Sequence, residues 1–476
     1  MAYFLIPSLK PQAAPESLAQ KSKHMFVERV ARAVGLTAIE DASVVPPEDS
    51  SIRDALADMQ KLKDAGIISS FGRVDSFPDE PSLCAWWADG GSSKCGGLSV
   101  NSDHEALRAT VSEALERHIW ARTDDYFANR IVASFRDLTE TRATDPLRFA
   151  GYSAAQRLHN PNRLHVSADT NFLWIDSYSL TRERPIAIPA QIVSTFYEKN
   201  MPPEKKEPRI RDCITTGLAT HRSKTEALLG GVLEVIERDA FMIMWLNELP
   251  LPRIAHNDIM KGNPALEELL KRCVRYRLFV HFVRLITDAP AYALMAVVRD
   301  PRMLPPIAVG LCAHASMSRA AEKALLEALR ARKNARARVR TYGKPFTKKP
   351  SEVNFAERHL YWADPSHTPA LDFLTQGEET ALEESVWNND DPKAHLERII
   401  DWCRGSGYEC IVVDLGKSKK NVLGLDIVFV VIPELQPLYL NEARRYEGGE
   451  RLKLIPRKFD YAPRETLFTD VPHPFV

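Results

Sequence analysis

The sequence lacks the features that mark several large classes of protein. Lys+Arg and Asp+Glu are equal at 63 each among 476 residues, so no overall charge draws the chain toward nucleic acid or an anionic membrane. No apolar run approaches the ~20 residues that a membrane-spanning helix needs. The start, MAYFLIP, lacks the basic region and the long apolar run of a signal peptide. The seven cysteines include no CxxC pair, which favours reduced thiols over disulfides or a zinc site. We therefore predict a cytoplasmic, soluble protein.

The common phosphate-binding sequences are also missing. Neither a Walker A sequence nor GxGxxG occurs in the chain. The glycine-rich stretch GGSSKCGG (90–97) is predicted to be a loop that could offer backbone N–H groups and Lys94 to a phosphate. This signal is weak by itself, so a nucleotide would have to be held mainly by other residues.

Hydrophobic periodicity predicts a mixed α+β fold, with helices packed on sheets whose buried strands are rich in Val and Ile. Helices are predicted over 25–36, 51–65, 103–122, 223–245, 318–340 and 393–405. Strands are predicted at 67–68, around Trp86 and over 172–180, 186–193, 278–286, 291–298, 307–313, 410–415 and 426–433. The charged segment 198–211 is predicted to be a surface excursion, and 345–392 and the tail beyond 433 are predicted to be irregular.

The predicted helix over 103–122 carries an acidic signature among apolar residues. In SEALERHIW, Glu113 and Glu116 are three residues apart, about 60° around a helix, so both carboxylates can address one ligand. Arg117 follows them directly. An ordinary solvated face with local salt bridges is the competing interpretation.

The predicted helix over 223–245 has three carboxylates on one strip. At ~100° per residue, Glu226 and Glu237 fall about 20° apart, and Glu234 lies about 80° from Glu226. The other positions are mostly apolar, which predicts a helix buried on most sides. Glycine costs about 1 kcal/mol relative to alanine inside a helix, so Gly230 and Gly231 predict close approach of a ligand or another backbone.

Buried carboxylates need compensation, because uncompensated burial costs many kcal/mol or forces protonation. Mg²⁺ shared with phosphate oxygens is one compensation, and a buried arginine such as Arg117 or Arg238 is the other. The signature E-x-x-E-R occurs twice, at 113–117 and 234–238. This repetition favours the metal, because two such helices could face each other across one site and hold more than one Mg²⁺ on a polyphosphate.

A third predicted helix, over 318–340, adds Glu327 and Arg332 to the candidate residues. Its basic end, with Arg336, Arg338 and Arg340, is expected to be a solvated helix C-terminus that the helix dipole favours.

The segments that carry these residues resemble the YcaO family in order and spacing. They are SEALERH, GLATHRSKTEALLGGVLEVIERDA and GLCAHASMSRAAEKALLEALRAR, followed by IVVDL (411–415) and GLDIVFVVIPELQPL (424–438). The last two are similar to the C-terminal part of azoline-forming cyclodehydratases, the D proteins of thiazole/oxazole-modified microcin pathways. The terminal PHPFV is similar to their PxPxP ending. The resemblance divides the chain into an N-terminal region, 1–84, and a catalytic domain, 85–476.

The resemblance implies a mixed α/β fold that binds ATP through Mg²⁺. It assigns metal binding to Glu113, Glu116, Glu226, Glu234 and Glu237. It assigns nucleotide binding to Lys94, Arg117, Glu226, Arg238, Glu327 and Arg332, and a catalytic part to Pro474 and Val476. The implied reaction begins when a Cys, Ser or Thr side chain of a ribosomally made precursor peptide attacks the preceding carbonyl. ATP then phosphorylates the former amide oxygen, and elimination leaves an azoline ring.

The resemblance also implies partners. An E1-like protein would bind the leader of the precursor peptide, and a flavin-dependent dehydrogenase would oxidise azolines to azoles, all in an oligomeric complex. The alternative activity is installation of thioamides or amidines, and an alternative of another class is a scaffold subunit without catalysis. The family pattern is altered at Lys94-Cys95-Gly96-Gly97, at the Thr-His-Arg that follows Ala219, and at the terminal Val476.

Overall fold

A computed structural model describes the protein over residues 50–91, 94–122, 131–138, 142–194, 207–342, 348–381, 391–465 and 471–475. The predicted helix over 25–36, most of the predicted excursion at 198–211 and the terminal Val476 lie outside these ranges. The predicted mixture of helices and sheets is confirmed. None of the helices in the described ranges combines the length and the apolar character that a bilayer crossing requires.

The elements follow the predicted periodicity along most of the chain. The α-helices are α1 (Ser50–Asp64), α2 (Asp103–Trp120), α3 (Phe135–Leu138), α4 (Ala154–His159), α5 (Pro161–Leu164), α6 (Lys224–Asn247), α7 (His256–Ile259), α8 (Pro264–Arg275), α9 (Met317–Tyr342), α10 (Arg358–Tyr361), α11 (Pro392–Ser406) and α12 (Arg451–Lys458). Short 3₁₀ helices occupy Pro146–Arg148, Ala190–Ile192, Pro350–Glu352, Phe355–Glu357, Pro365–Thr375 and Glu442–Arg444.

The strands are β1 (Ser70–Arg73), β2 (Cys84–Asp89), β3 (Lys94–Ser99), β4 (Ile131–Ser134), β5 (Asn171–Ser179), β6 (Arg184–Pro189), β7 (Leu218–His221), β8 (Arg253–Ile254), β9 (Phe279–Leu285), β10 (Tyr292–Arg299), β11 (Ile307–His314), β12 (Glu379–Thr380), β13 (Ile411–Asp414) and β14 (Asp426–Val431). They form three sheets, in the orders β1-β2-β3, β11-β10-β9-β8-β12 and β4-β5-β13-β14-β7, with β6 paired to β5.

The described residues fall into two compact units. The first contains those up to His118 together with Glu267–Leu278, and the second contains Ile119–Leu266 together with those from Phe279 onward. The division of the chain at 84/85 stays a prediction.

In the first unit, α2 packs closely on the antiparallel β1-β2-β3 sheet. A Cβ at Gly97 would lie 1.9 Å from the carbonyl oxygen of Ala106 on α2, so this position tolerates only glycine. The Gly97 N–H donates to Thr110 Oγ1 over 2.8 Å. The predicted loop at Lys94-Cys95-Gly96-Gly97 is therefore wrong. The glycines serve close packing of a strand, and the sequence pattern of a turn cannot be distinguished from it.

In the second unit, α6 is the central helix and contacts β7, β14 and β11. Every residue from Gly231 to Asn247 except Glu234 is buried, which confirms the predicted burial. Gly231 meets another backbone, since a Cβ there would lie 2.7 Å from the Gly217 carbonyl oxygen. At Gly230 the nearest atom would be Ala219 Cβ at 3.6 Å, an ordinary contact.

Three predictions about irregular or solvated regions were wrong. The segment 345–392 contains several short helices, and α12 lies in the tail predicted to be irregular, where Pro456 in its last turn disguises the helical pattern. Arg336 at the supposedly solvated end of α9 is only 3% exposed.

Candidate functional site

On α2, the two glutamates of the first E-x-x-E-R signature are buried. Glu113 and Glu116 are each 4% exposed. Glu113 Oε2 accepts the Gly96 N–H over 3.1 Å, and its Oε1 lies 3.6 Å from Nη2 of Arg117. Because Gly96 lies on β3, the edge strand of its sheet, this carboxylate satisfies a backbone N–H that no neighbouring strand can pair.

On α6, the second signature is held more tightly. Glu234 Oε2 accepts the Gly217 N–H over 3.2 Å, and its Oε1 accepts from Nη2 of Arg238 over 3.2 Å. Arg238 Nη1 makes a short bond to Glu237 Oε1. One fully buried guanidinium thus bridges both carboxylates of the signature.

The edge strand β11 brings α6 and α9 together. The Ala313 N–H donates to Glu237 Oε2 over 3.1 Å, and the Leu311 N–H donates to Glu327 Oε2 over 2.7 Å. Glu327 Oε1 lies 3.5 Å from Nη2 of Arg330. Two alternate N–H groups on one side of β11 are therefore satisfied by carboxylates from two different helices.

These bonds share one arrangement in all three sheets. A glutamate on a helix accepts an N–H from β3, from β11 or from the residue just before β7, and an arginine of the same helix lies beside it, three or four positions later for Glu113, Glu234 and Glu327 and one position later for Glu237. A solvated face is excluded for the buried glutamates, because backbone donors and apolar neighbours surround them. The N–H partners of the glutamates were not predicted from the sequence. The one available signal is Gly217, a glycine whose φ of +89° allows the backbone turn that presents its N–H to Glu234.

The surroundings of Glu237 oppose its ionisation. Burial raises the pKa of Glu237, and the charges of Glu327 and Glu234 raise it further, while Arg238 lowers it only in part. A cation that joined the site would remove this opposition.

Glu226 is placed differently from the other glutamates. It lies in the first turn of α6, its side chain is 41% exposed, and its Oε2 is 2.9 Å from His221 Nδ1. The exposure of the three carboxylates predicted to share one strip of α6 therefore decreases along the helix, from half-exposed Glu226 to buried Glu237.

Two predicted nucleotide ligands have other surroundings. Lys94 is exposed, with Nζ 6.0 Å from the centre of the Trp87 ring. Arg332 is almost fully buried; Nη2 donates to Asp300 Oδ2 over 2.9 Å and Nη1 to the Pro305 carbonyl over 3.2 Å. These partners give Arg332 a structural part that its helix position does not reveal.

The C-terminal segment packs on the buried arginine of α6. Phe475 is fully buried, and Arg238 Cζ lies 4.2 Å from the centre of its ring. Phe241, one turn further along α6, packs against the Phe475 ring, and His473 Nε2 lies 2.9 Å from the Tyr439 carbonyl. Pro474 is buried between them. Arg238 therefore contacts Glu234 and Glu237 on one side and the tail on the other.

The donor set suits a hard divalent cation. As placed, no three His, Cys, Asp or Glu side chains of the described residues form a metal-binding group, and Arg238 supplies the compensating charge. Glu234 and Glu237 place four carboxylate oxygens beside Arg238 and the N–H groups of Gly217 and Ala313, and a carboxylate has about four acceptor positions. The residues thus keep oxygen sites of the kind that Mg²⁺ prefers.

Comparison with known proteins identifies the family of the chain. The family model for YcaO cyclodehydratase, ATP- and Mg²⁺-binding, matches residues 100–436. The chain is therefore a member of a class of ATP- and Mg²⁺-binding proteins. The chain belongs to the YcaO family, and ATP with Mg²⁺ are its cofactors, as predicted.

Several relatives share the sequence or the fold. An uncharacterized protein of Methanothermobacter thermautotrophicus is 27% identical over 281 residues, 57% of this chain and 67% of the relative. A heterocyclase in complex with substrate and cofactor is similar with a TM-score of 0.70 and 20% identity over 88% of this chain. The chain spans 57% of that heterocyclase's length.

Two further structures have the same fold. The YcaO protein of Methanopyrus kandleri, bound with AMPPCP and Mg²⁺, has a TM-score of 0.59 and 16% identity over 84% of this chain and 95% of its own. A chain of the E. coli microcin synthetase McbBCD complex has a TM-score of 0.54 and 14% identity over 77% of this chain and 88% of its own.

Proposed function

We propose that this protein is an ATP-dependent cyclodehydratase that converts Cys, Ser or Thr residues of a ribosomally made precursor peptide into thiazolines or oxazolines. The observation that carries the proposal is the contact of the C-terminal segment with Arg238, the arginine that holds Glu234 and Glu237. A proline-bearing tail packed on the carboxylate site is what the resemblance to azoline-forming enzymes predicts.

Mg²⁺ is proposed to bind to Glu113, Glu116, Glu226, Glu234 and Glu237, and Arg117, Arg238 and Glu327 are proposed to contact the nucleotide. ATP supplies the phosphoryl group that turns a poor amide-oxygen leaving group into a good one, and Mg²⁺ offsets the charge that develops. Arg238 orients two carboxylates before any ligand arrives, which lowers the cost of organising the site. Arg332 is left out, because Asp300 and Pro305 hold it.

The overall reaction balances as a loss of water. The side-chain sulfur or oxygen loses its proton and forms a bond to the preceding carbonyl carbon, the former amide oxygen leaves as phosphate, and the amide nitrogen loses its proton to give the ring C=N. The buried, water-poor surroundings of Arg238 and Phe475 favour elimination over hydrolysis. A catalytic part is also proposed for Pro474 and Val476, because they flank Phe475, the residue that packs on Arg238. Val476 itself lies outside the described residues.

Partner proteins are proposed by analogy. The heterocyclase that this chain resembles was solved with its substrate, and the E. coli microcin synthetase is a complex of several chains. We infer that an E1-like protein presents the leader of the precursor peptide, and that a flavin-dependent dehydrogenase oxidises the azolines afterwards.

Reaction with ATP, Mg²⁺, the E1-like protein and the precursor peptide encoded beside it tests the function. We expect peptide-stimulated ATP hydrolysis and a peptide mass that falls by one water per ring. Exchange of oxygen for sulfur would instead identify a thioamide-forming enzyme. Absence of turnover with every component present would identify a scaffold subunit.

A further inference from the structure

A small pocket of about 30 Å³ lies beside the second E-x-x-E-R signature. Residues of α6, of β14 and of the segment before β7 line it. Val235 and Arg238 bring the pocket next to Glu234, and Thr216 precedes the glycine whose N–H binds that glutamate. The pocket is therefore a neighbour of the carboxylate site within the second unit.

Arg211 gives the pocket a positive charge, which the charge of Glu434 offsets only in part. Its guanidinium lies 5.5 Å from the centre of the Phe149 ring. Burial lowers the pKa of Arg211 to about 10. Within the described ranges no carboxylate forms a salt bridge with it, and the adjacent Asp212 pairs with Arg209 and Arg444 instead. A guanidinium has five N–H donors, so a partly buried one without a carboxylate can still bind an anion strongly.

One further polar group belongs to the lining of the same pocket. Thr216 Oγ1 is buried and, within the described part of the chain, has no hydrogen-bond partner. Buried polar atoms without partners are uncommon and call for a ligand or a bound water. A hydroxyl and a guanidinium are both donors, and together they match a carboxylate.

The remaining lining is mostly apolar, with Ile214, Val430 and Ile432 among the contributors. A small, mostly apolar pocket with converging donors suits a single carboxylate group of a larger molecule, and suits free phosphate less well. The planar guanidinium fork favours a carboxylate with two parallel hydrogen bonds.

We propose that this pocket binds an acidic residue of the peptide substrate, with the carboxylate on Arg211 and Thr216. The identity of the ligand as substrate rests on the proposed function. Such a contact would fix the register of the peptide, because it would place one acidic residue beside the signature that contains Glu234 and Arg238. It would make the enzyme select peptides with Asp or Glu close to the modified position.

Binding of small probes to the full-length protein, without nucleotide, tests the proposal. The probes are N-acetyl-valyl-aspartyl amide, its asparaginyl analogue and inorganic phosphate, followed by calorimetry or saturation-transfer NMR. We expect the aspartyl compound to bind at least tenfold more tightly than the asparaginyl one. Arg211→Gln should remove that preference, and Arg275→Gln, at an exposed helix position, should keep it.

Thr216→Val is the second variant, because it keeps the side-chain shape if Arg211→Gln does not fold. It should weaken binding of the aspartyl compound severalfold and leave the melting temperature nearly unchanged. Equal binding of the two peptides, or no binding of either, would overturn the proposal. Phosphate that binds more tightly than the aspartyl compound, with the same dependence on Arg211, would also overturn it and identify a phosphate site. Since no ATP is present, these results do not depend on whether the protein forms rings.

Discussion

The helices α2 and α6 carry the same signature, E-x-x-E-R, and hold it differently. In α2, Arg117 lies 3.6 Å from Glu113. In α6, Arg238 bridges Glu234 and Glu237, has no exposure and lies against the Phe475 ring. Identical residue types at identical spacing thus give a locked pair of carboxylates on α6 and a longer arginine–glutamate distance on α2. The difference comes from what packs on the arginine, and residues far along the chain supply that packing.

The largest effect is expected when a carboxylate of the locked pair is removed. Glu237→Gln or Glu234→Ala should lower ATP hydrolysis by at least about 100-fold, because a metal ligand is lost, while the fold is largely kept. Steady-state ATPase assays measure the loss. Glu397→Gln, at an exposed position of α11, should leave the rate unchanged. Full activity of either α6 variant would refute the metal assignment for this helix.

The two arginines should differ in their contribution to stability. Arg238→Met leaves two buried carboxylates without their cation, which costs about 3–5 kcal/mol of unfolding free energy. Arg117→Met should cost less than Arg238→Met, because Nη2 of Arg117 lies 3.6 Å from Glu113, beyond the distance of a strong hydrogen bond. Urea unfolding of the two variants measures both values. Equal losses would show that the signatures are held alike.

The tail packs on Arg238 of α6 and can be altered without substituting any residue of α6. Phe475→Leu should cost about 1–2 kcal/mol, the worth of a desolvated cation–π contact. Deletion of 472–476 should reduce ring formation far more than it reduces affinity for ATP. Peptide mass spectrometry and nucleotide titration separate the two effects. If the truncated protein modifies peptide normally, the tail has no part in catalysis.

The smallest expected effect is a pH dependence that belongs to α6. The folded protein raises the pKa of Glu237, so the fold favours the protonated acid. Stability from this group is therefore fully present below the unfolded pKa and is lost as the pH rises through the folded pKa. Mg²⁺ needs the carboxylate, so its affinity should rise over the same pH range. Glu237→Gln should abolish both trends and Glu113→Gln should keep the first.

The acidic signatures, the order of the elements and the burial of α6 could be predicted, because they follow from local periodicity. The partners of the charged residues could not be predicted. Arg332 and Arg336 are both buried on α9 although the sequence shows only a basic helix end. The strand at Lys94–Ser99 looks like a glycine-rich loop because close helix packing and tight turns both select glycine.

The contact between Phe475 and Arg238 joins positions that are more than two hundred residues apart, and no local pattern indicates it. The tail prediction rested on a resemblance to proline-rich endings, and the residue that contacts the site is a phenylalanine. Gly217 belongs to a longer sequence motif that does not indicate a contact for its backbone. In the structure, the Gly217 N–H donates to Glu234.

The central claim is that the buried glutamates of α6 bind Mg²⁺ and nucleotide. Calorimetric titration of the full-length protein with a non-hydrolysable ATP analogue, with and without Mg²⁺, tests it most directly. We predict binding that depends on Mg²⁺ in the wild type and is lost in Glu237→Gln, with Glu397→Gln unchanged. Mg²⁺-dependent binding of equal strength in Glu237→Gln would contradict the claim.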